Sequence, residues 1–302
     1  MATRALIIHS GAGGGSFPRG DRKFAELRSA VEEGMAALRK GSSVDAVEAA
    51  VRCMEGSGLF NAGRGACLTA EGTVQLDAAV MEGRGLRGAG VGLCECTYNP
   101  VSLARAVMEK TDHALIAGAE CLRFARAAGL RTCSVEASPR ARELFADMKV
   151  MMKDKHRLNY DMLKAMQGGN TVGAVALDAE GVPAAAVSTG GTWMKLPGRI
   201  GDSAILGAGI YADGAAGAAC ATGTGEAIIK CALCWNACRF LEDVGAPGAA
   251  RRSIALISRR SGKGTAGVVT VDLKGRVGSA CNTAAMGRAW YDSARERIVV
   301  RA

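Results

Sequence analysis

The chain has 302 residues, 49% of them hydrophobic and only 4% aromatic, with a formal net charge of +9. This length allows one large domain or two medium ones around a core of Ala, Val, Leu and Ile, and no apolar run reaches the roughly 18–20 residues of a bilayer span. The positive charge is spread along the chain, with only a short block at Arg259-Arg260-Ser261-Gly262-Lys263. It reads as ordinary surface charge, with an anionic small substrate as a secondary reading, and not as a nucleic-acid stripe.

The apolar part of Met1–His9 is too short for a signal peptide, so a cytoplasmic protein without membrane contact is expected. The 11 cysteines are odd in number and scattered through apolar segments. In a reducing compartment they read as small core residues. Cys231, Cys234 and Cys238 share one helix face at spacings of three and four. No second pair or nearby histidine completes a zinc site, and packing is the expectation.

Ala5–His9 reads as a buried strand entering Ser10-Gly11-Ala12-Gly13-Gly14-Gly15-Ser16. A glycine turn can cradle phosphate when a helix follows at once. Here Phe17, Pro18 and Arg19 intervene, and a tight loop of closely approaching backbones is equally supported. Phe24–Leu38 has helical periodicity, and Ser43 with Asp45 opens a second helix through Val51 and Met54. The loop Leu59–Ala66 leads towards strands at Thr73–Met81, which alternates, and Gly88–Cys96. After Asn99-Pro100, helices are expected over Ser102–Lys110 and Leu115–Ala128. Residues 138–170 are rich in Arg, Lys, Asp and Met, and read as an exposed helix with a flexible linker end.

At Thr171 the pattern changes to strands, over Val172–Asp178 and Ala184–Ser188. The loop Lys195–Ser203 and the segment Ile205–Ala208 follow, then a strand at Ala218–Thr222, a long helix over Gly225–Leu241 and a shorter one at Arg251–Ile257. A second hairpin joins Val268–Asp272 to Gly278–Asn282, and both hairpins turn on Asp-x-x-Gly. Ser261-Gly262-Lys263-Gly264-Thr265 has the ending of a P-loop without its upstream glycines, and reads as a loop. Strands flanked by helices suggest a layered arrangement. A threonine hydroxyl is a weak nucleophile, but a free α-amine on the same residue can serve as its base. A cut before Thr171 would place both groups on one residue.

Thr171-Val-Gly-Ala-Val-Ala-Leu-Asp178, Ser188-Thr-Gly-Gly191, Lys195-Leu-Pro-Gly-Arg-Ile-Gly-Asp-Ser203, Gly207-Ala-Gly209 and Ala221-Thr-Gly-Thr-Gly-Glu226 occur in this order. With Leu59-Phe-Asn-Ala-Gly63 and Asn99-Pro-Val-Ser-Leu-Ala104 upstream, the chain resembles the plant-type asparaginase/isoaspartyl peptidase family of N-terminal-nucleophile hydrolases over nearly its whole length. Each motif alone is weak, and their shared order is specific. The resemblance implies an α+β fold, a four-layer αββα sandwich in a single domain. It also implies autocatalytic cleavage between Asn170 and Thr171 into an α-subunit, 1–170, and a β-subunit, 171–302, assembled as a dimer of αβ heterodimers.

In the same resemblance Thr171 is nucleophile and, through its new amine, general base. Thr189 orients its hydroxyl, and Asn61 lies near the nucleophile. Thr222 and the Gly223 N–H form the oxyanion hole. Arg199 clamps the substrate α-carboxylate, for which a planar bidentate cation is suited. Asp202, helped by the Gly225 carbonyl, accepts the α-ammonium. No cofactor is implied for catalysis. A structural sodium is implied on backbone carbonyls of Met54, Glu55, Ser57, Phe60, Ala62 and Arg64.

Against the family pattern, Asn170 stands where Gly or Asp is usual, His9-Ser10-Gly11 replaces His-Gly-Gly, and Asn282-Thr-Ala-Ala-Met286 lacks an acidic residue before Gly-Met. Together with Trp193 and Met194, the last change bears on the leaving group. The expected substrates are L-asparagine or β-aspartyl dipeptides. Aspartylglucosaminidases and taspase-like threonine proteases share the fold, but would favour a secreted chain with a glycan pocket or a large protein substrate. A non-catalytic anion- or nucleic-acid-binding protein is the contrasting reading, and predicts an intact 302-residue chain.

Overall fold

The computed structural model describes residues 4–13, 21–152 and 171–301. Twelve strands form two sheets among these residues. They are β1 (Ala5–Gly13), β2 (Leu76–Glu82), β3 (Arg87–Cys94), β4 (Leu115–Ala117), β5 (Val172–Leu177), β6 (Pro183–Thr189), β7 (Ile210–Asp213), β8 (Gly217–Gly223), β9 (Ala266–Asp272), β10 (Val277–Cys281), β11 (Ala285–Asp292) and β12 (Arg297–Arg301). The larger sheet runs β12-β11-β1-β5-β6-β2-β3-β4, and the smaller β10-β9-β8-β7. Every pairing is antiparallel except that of β3 with β4.

The two sheets contact one another through β1, β5 and β6 on one side and β7, β8 and β9 on the other. Alternation explains how each strand serves two interiors. Ile7, Val175 and Leu177 face the second sheet with Ala185, Ala212, Ala218 and Val269. Leu6, Ile8, Ala174 and Ala176 point the opposite way, into a cluster with helical Leu27, Val31, Val47 and Val51. This is why the strands read as continuous apolar runs. The segment expected as an alternating strand over 73–81 is a strand only from Leu76 and is buried on both faces. Many contacts between the sheets are alanines, so the interior closes with little aromatic filling.

Helices α1 (Arg22–Lys40), α2 (Ser43–Ser57) and α3 (Pro100–Lys110) pack on the larger sheet. Ser42, one residue ahead of the expected start, caps α2 and completes a capping box with Asp45, a feature that contributes about 1 kcal/mol. The expected helix 115–128 divides at Gly118 (φ 72°) into β4 and a shorter helix, α4 (Glu120–Ala127). The expected exposed helix is α5 (Pro139–Met152), although its Ala141 and Met148 are buried. The flexible end expected for the linker lies outside the described residues.

On the smaller sheet lie α6 (Gly225–Cys231) and α7 (Leu233–Ser261). The predicted long helix breaks at Ala232, which is left-handed, and α7 runs through the predicted second helix with a kink at Gly245 (φ 64°). The break separates Cys231 from Cys234 and Cys238, but all three are buried in one apolar cluster, as packing residues would be. Strands β11 and β12, and β7 at 210–213, have no counterpart in the sequence reading. The glycine segment after His9 continues β1 to Gly13 through a register shift, with Gly11 at φ 105°. Among the described residues no helix is long and apolar enough to cross a membrane.

Candidate active site

Thr171 immediately precedes β5, and Thr189 ends the antiparallel neighbour β6. Val172 pairs with Ser188, and this register brings the two threonines side by side. The Thr171 hydroxyl donates to Thr189 Oγ1 at 3.1 Å, and the Gly191 N–H donates to the same oxygen at 3.0 Å. With two donors converging on it, the Thr189 hydroxyl is held in place and fixes the direction of Thr171 Oγ1.

Asn61 acts on this arrangement through the Gly190-Gly191 turn. Its Nδ2 donates to the Gly191 carbonyl at 2.6 Å, its Oδ1 accepts from Cys67 N–H at 2.8 Å, and its backbone carbonyl accepts from Gly190 N–H at 3.0 Å. A Cβ on Gly190 would sit 2.5 Å from Asn61 Oδ1, so only glycine permits this seating.

Thr171, Thr189, Arg199, Asp202, Gly223 and Gly225 line one cleft, together with Gly191, Thr192, Trp193 and Ala12. Thr222 and Asn61 lie behind its wall, 1% and 5% exposed. Asp202 is buried, and its Oδ2 has no hydrogen-bond partner among the described residues. Burial raises its carboxyl to about 7; Arg199 opposes the shift, while Glu226 and Asp77 add to it. A buried carboxylate oxygen without a hydrogen-bond partner is costly, and an incoming cation would satisfy it. The arrangement is therefore not a solvated surface pair.

Arg199 is oriented by Glu226, whose Oε1 accepts from Nε at 3.0 Å and from Nη2 at 2.8 Å. Gly225 sits between Arg199 and Asp202. A Cβ there would lie 2.6 Å from Arg199 Nη2 and 2.8 Å from Asp202 Oδ1. The Thr222 hydroxyl is buried without a partner among the described residues, and Gly223 adopts φ 136°, a backbone that favours glycine. The cleft thus combines an oriented hydroxyl with a cation and a carboxylate spaced for a zwitterionic amino-acid end. Among the described residues no cluster of three or more His, Cys, Asp or Glu is placed to hold a metal ion.

The family model described as asparaginase matches residues 2–300. This chain belongs to the asparaginase family. It is 41% identical over 288 residues to the plant-type L-asparaginase of Pyrobaculum calidifontis, covering 94% of this chain and 96% of that protein. Identity to the plant-type L-asparaginase of Pyrococcus abyssi is 40%, over 95% of each chain. Identity to the isoaspartyl peptidase of Escherichia coli is 37%, over 96% of this chain and 93% of that one. The enzyme is thus an amidohydrolase.

Several residues of this asparaginase-family site escape sequence reasoning. Glu226 stands inside a recognised motif but shows its purpose only when α6 brings it to Arg199. Asp77 and Lys195 form a buried pair, 3.8 Å apart, with side chains 0% and 1% exposed. Lys195 Nζ also donates to the Gln75 carbonyl at 2.7 Å, while Asp77 accepts from Leu93 N–H and Gly201 N–H, each at 3.0 Å. The pair therefore braces both ends of the loop that carries Arg199 and Asp202. Burial lowers the Lys195 pKa, and Asp77 opposes this.

Asn282 holds a second brace. Its Oδ1 accepts from Thr265 N–H at 2.9 Å and Ala266 N–H at 2.8 Å. The Thr265 carbonyl in turn accepts from Thr224 N–H at 2.7 Å, next to Gly223. His9 is buried, 3.1 Å from Cys220 Sγ. Burial drops its pKa to about 3, with the Thr171 backbone opposing, so it is neutral near pH 7. Its place opposite Gly173 in the sheet makes it a packing group beside β5, the strand that Thr171 precedes.

Proposed function

We propose that the chain cleaves itself between Asn170 and Thr171 and then hydrolyses β-aspartyl amides, both L-asparagine and β-aspartyl dipeptides. The 3.1 Å contact between Thr171 Oγ1 and Thr189 Oγ1, on the same cleft as Arg199 and Asp202, carries this reading. The printed names of the relatives, asparaginase and isoaspartyl peptidase, support the substrate class.

Inside a peptide bond the Thr171 nitrogen has no basic lone pair. After cleavage it is an α-amine with an ordinary pKa of roughly 7.7–8.0, so a useful neutral fraction exists near pH 7. Arg199 takes the substrate α-carboxylate, and Asp202 with the Gly225 carbonyl takes the α-ammonium, which leaves the β-carbonyl facing Thr171. The amine removes the hydroxyl proton as Oγ1 attacks. Negative charge develops on the substrate oxygen and is met by the Thr222 hydroxyl and the Gly223 N–H, each contributing ~3–4 kcal/mol in such sites. The Thr171 ammonium then protonates the departing nitrogen, which leaves as ammonia or as the second amino acid. Water, deprotonated by the same amine, attacks the β-aspartyl ester and releases aspartate.

The two sheets with helices on their outer faces support the four-layer αββα sandwich of N-terminal-nucleophile hydrolases as a single domain. The fragments 1–170 and 171–302 remain together, and two such αβ units form a dimer. We also propose that the 54–64 loop holds sodium. Carbonyls of Glu55 and Tyr98 each lie 2.6 Å from where a Gly63 Cβ would stand. Those of Met54, Phe60 and Ala62 accept hydrogen bonds from Ser57 Oγ, Ala62 N–H and Gly65 N–H, and a carbonyl oxygen has a second lone pair to offer. Such an all-oxygen set fits a hard cation.

The test of the main reading is Thr171→Ala. The wild type gives two fragments on a denaturing gel and turns over asparagine, whereas the variant stays at full length and is inactive. A variant that is cut and active as usual would refute the reading.

A further inference from the structure

Gly223, the backbone half of the proposed oxyanion hole, is the last residue of β8 and lies opposite Ala266, the first residue of β9. Just past this pair the Thr224 N–H donates to the Thr265 carbonyl at 2.7 Å. Antiparallel ladders alternate, so the Gly223 N–H one residue earlier turns away from β9, towards the cleft that Gly223 lines. Its direction is therefore set by where Thr265 stands.

Thr265 belongs to the short loop between α7 and β9, and a side chain from beyond β10 holds it. Asn282 Oδ1 uses both of its lone pairs, on the Thr265 N–H at 2.9 Å and the Ala266 N–H at 2.8 Å. Two donors on that atom identify it as the oxygen, which leaves Nδ2 as the donating end. Nδ2 donates to Ser258 Oγ at 2.7 Å, to Thr265 Oγ1 at 3.0 Å and to the Gly262 carbonyl at 3.3 Å. The Asn282 main chain closes the clasp, donating to the Ala266 carbonyl at 3.0 Å and accepting from the Gly264 N–H at 2.9 Å. The loop has little stiffness of its own, since Gly262 and Gly264 take φ 81° and 76°. One half-buried amide thus ties the end of α7, this loop and the start of β9 to a single point.

We propose that Asn282 is a positioning residue for the oxyanion hole: by fixing Thr265 it aims the Gly223 N–H at the oxygen that becomes negative. This rests on the catalytic reading proposed above and adds a residue to it. Arg199 and Asp202 sit on another loop, braced by Asp77 and Lys195. Gly225 is the first residue of α6, and the Thr224 carbonyl before it accepts from Ala227 N–H at 3.0 Å and Ile228 N–H at 3.1 Å within that helix. The groups that bind the amino-acid end are therefore anchored without Asn282, whereas the oxyanion forms only on the way to the transition state. Loss of Asn282 should act on kcat and not on KM.

The experiment is steady-state kinetics on L-asparagine of the wild type, Asn282→Leu, Asn282→Asp, Thr222→Val and the Asn282→Leu/Thr222→Val double variant. Rates are divided by the amount of the 171–302 fragment on a denaturing gel. Removing an oxyanion donor outright lowers kcat by about 10²–10³, so Asn282→Leu, which misplaces one, should lose about 10- to 100-fold in kcat with KM within about twofold. Asn282→Asp keeps the oxygen that takes both N–H groups and should recover most of the rate. In the Thr222→Val background Asn282→Leu should cost less than in the wild type, because the hole it aims is already damaged. If Asn282→Leu fails to fold or to mature, Asn282→Gln, which keeps both ends of the amide, should show the same selective fall at smaller size. An unchanged kcat, parallel changes in kcat and KM, or full additivity with Thr222→Val would overturn the inference while leaving the catalytic reading intact. A wild type that stays uncut and inactive on asparagine would remove both.

Discussion

Replacing Asp77 by Asn keeps the shape of the side chain and removes only its charge. In the folded enzyme Asp77 accepts from two backbone N–H groups at 3.0 Å and faces the Lys195 ammonium at 3.8 Å, with both side chains out of solvent. The amide that replaces the carboxylate can still accept at one N–H but turns a second donor towards the other, and the ammonium keeps only the Gln75 carbonyl. Breaking a buried pair on one side costs about 3–5 kcal/mol. With an unfolding entropy of roughly 2.1 cal/mol/K per residue, a chain of this length should melt about 5–8 °C lower.

The loss carries a pH signature with a definite sign. Burial already lowers the Lys195 pKa, and Asp77 is the largest influence opposing it, ahead of Cys67, so removing Asp77 lowers that pKa further. The unfolded state then binds more protons than the folded state below the ordinary lysine pKa of about 10.4, so stability rises with pH in that range. The deficit of Asp77→Asn should therefore be smaller at pH 9 than at pH 6. Lys195→Met in the same background should recover part of it. The assay is thermal melting of wild type, single and double variants at both pH values. A single variant that melts within about 1 °C of wild type at both would refute the idea that this pair braces the loop.

Gly225→Ala places a methyl between Arg199 and Asp202, at distances of 2.6 and 2.8 Å from their polar atoms. KM for asparagine should rise more than tenfold, while overpacking of this kind costs only about 1–3 kcal/mol of stability. Since burial holds the Asp202 carboxyl up at about 7, it is protonated below that pH and is a poor acceptor for an α-ammonium. A pH profile of kcat/KM should fall as pH drops through about 7, and the Thr171 amine freed by the proposed cleavage, losing its neutral form, would act in the same direction. Asp202→Asn should remove the Asp202 contribution from that limb while lowering the rate throughout. An unchanged profile between pH 6 and 8 would count against Asp202 as the ammonium acceptor.

The legible parts of this enzyme are those whose physics is local. Both Asp-x-x-Gly hairpins form as expected. Asp178 Oδ1 accepts from Glu180 and Val182 N–H, Asp272 Oδ1 accepts from Lys274 and Arg276 N–H, and Gly181 and Gly275 each take φ 74°. The change of pattern at Thr171 marks the real start of β5, and the glycines around Thr222 mark a backbone that only glycine fits. Elsewhere, local pattern misleads. Leu115–Ala117 has apolar residues that suit a helix, but parallel pairing with β3 draws it into the sheet. Ala232 breaks a run that looks continuously helical.

Sequence by itself determined the set of reactive residue types, their order along the chain and the family to which they belong. Only tertiary structure decided which groups support them. Glu226 meets Arg199 because α6 begins where β8 ends. Asp77 meets Lys195 because β2 lies beside β6, whose exit loop folds back over it. Asn282 meets Thr265 because the end of β10 lies beside the start of β9. A charge in isolation looks the same in sequence whether solvated or buried. Its partner is set by strand order and helix packing, through contacts between residues far apart in the chain, and that is where this site acquires its geometry.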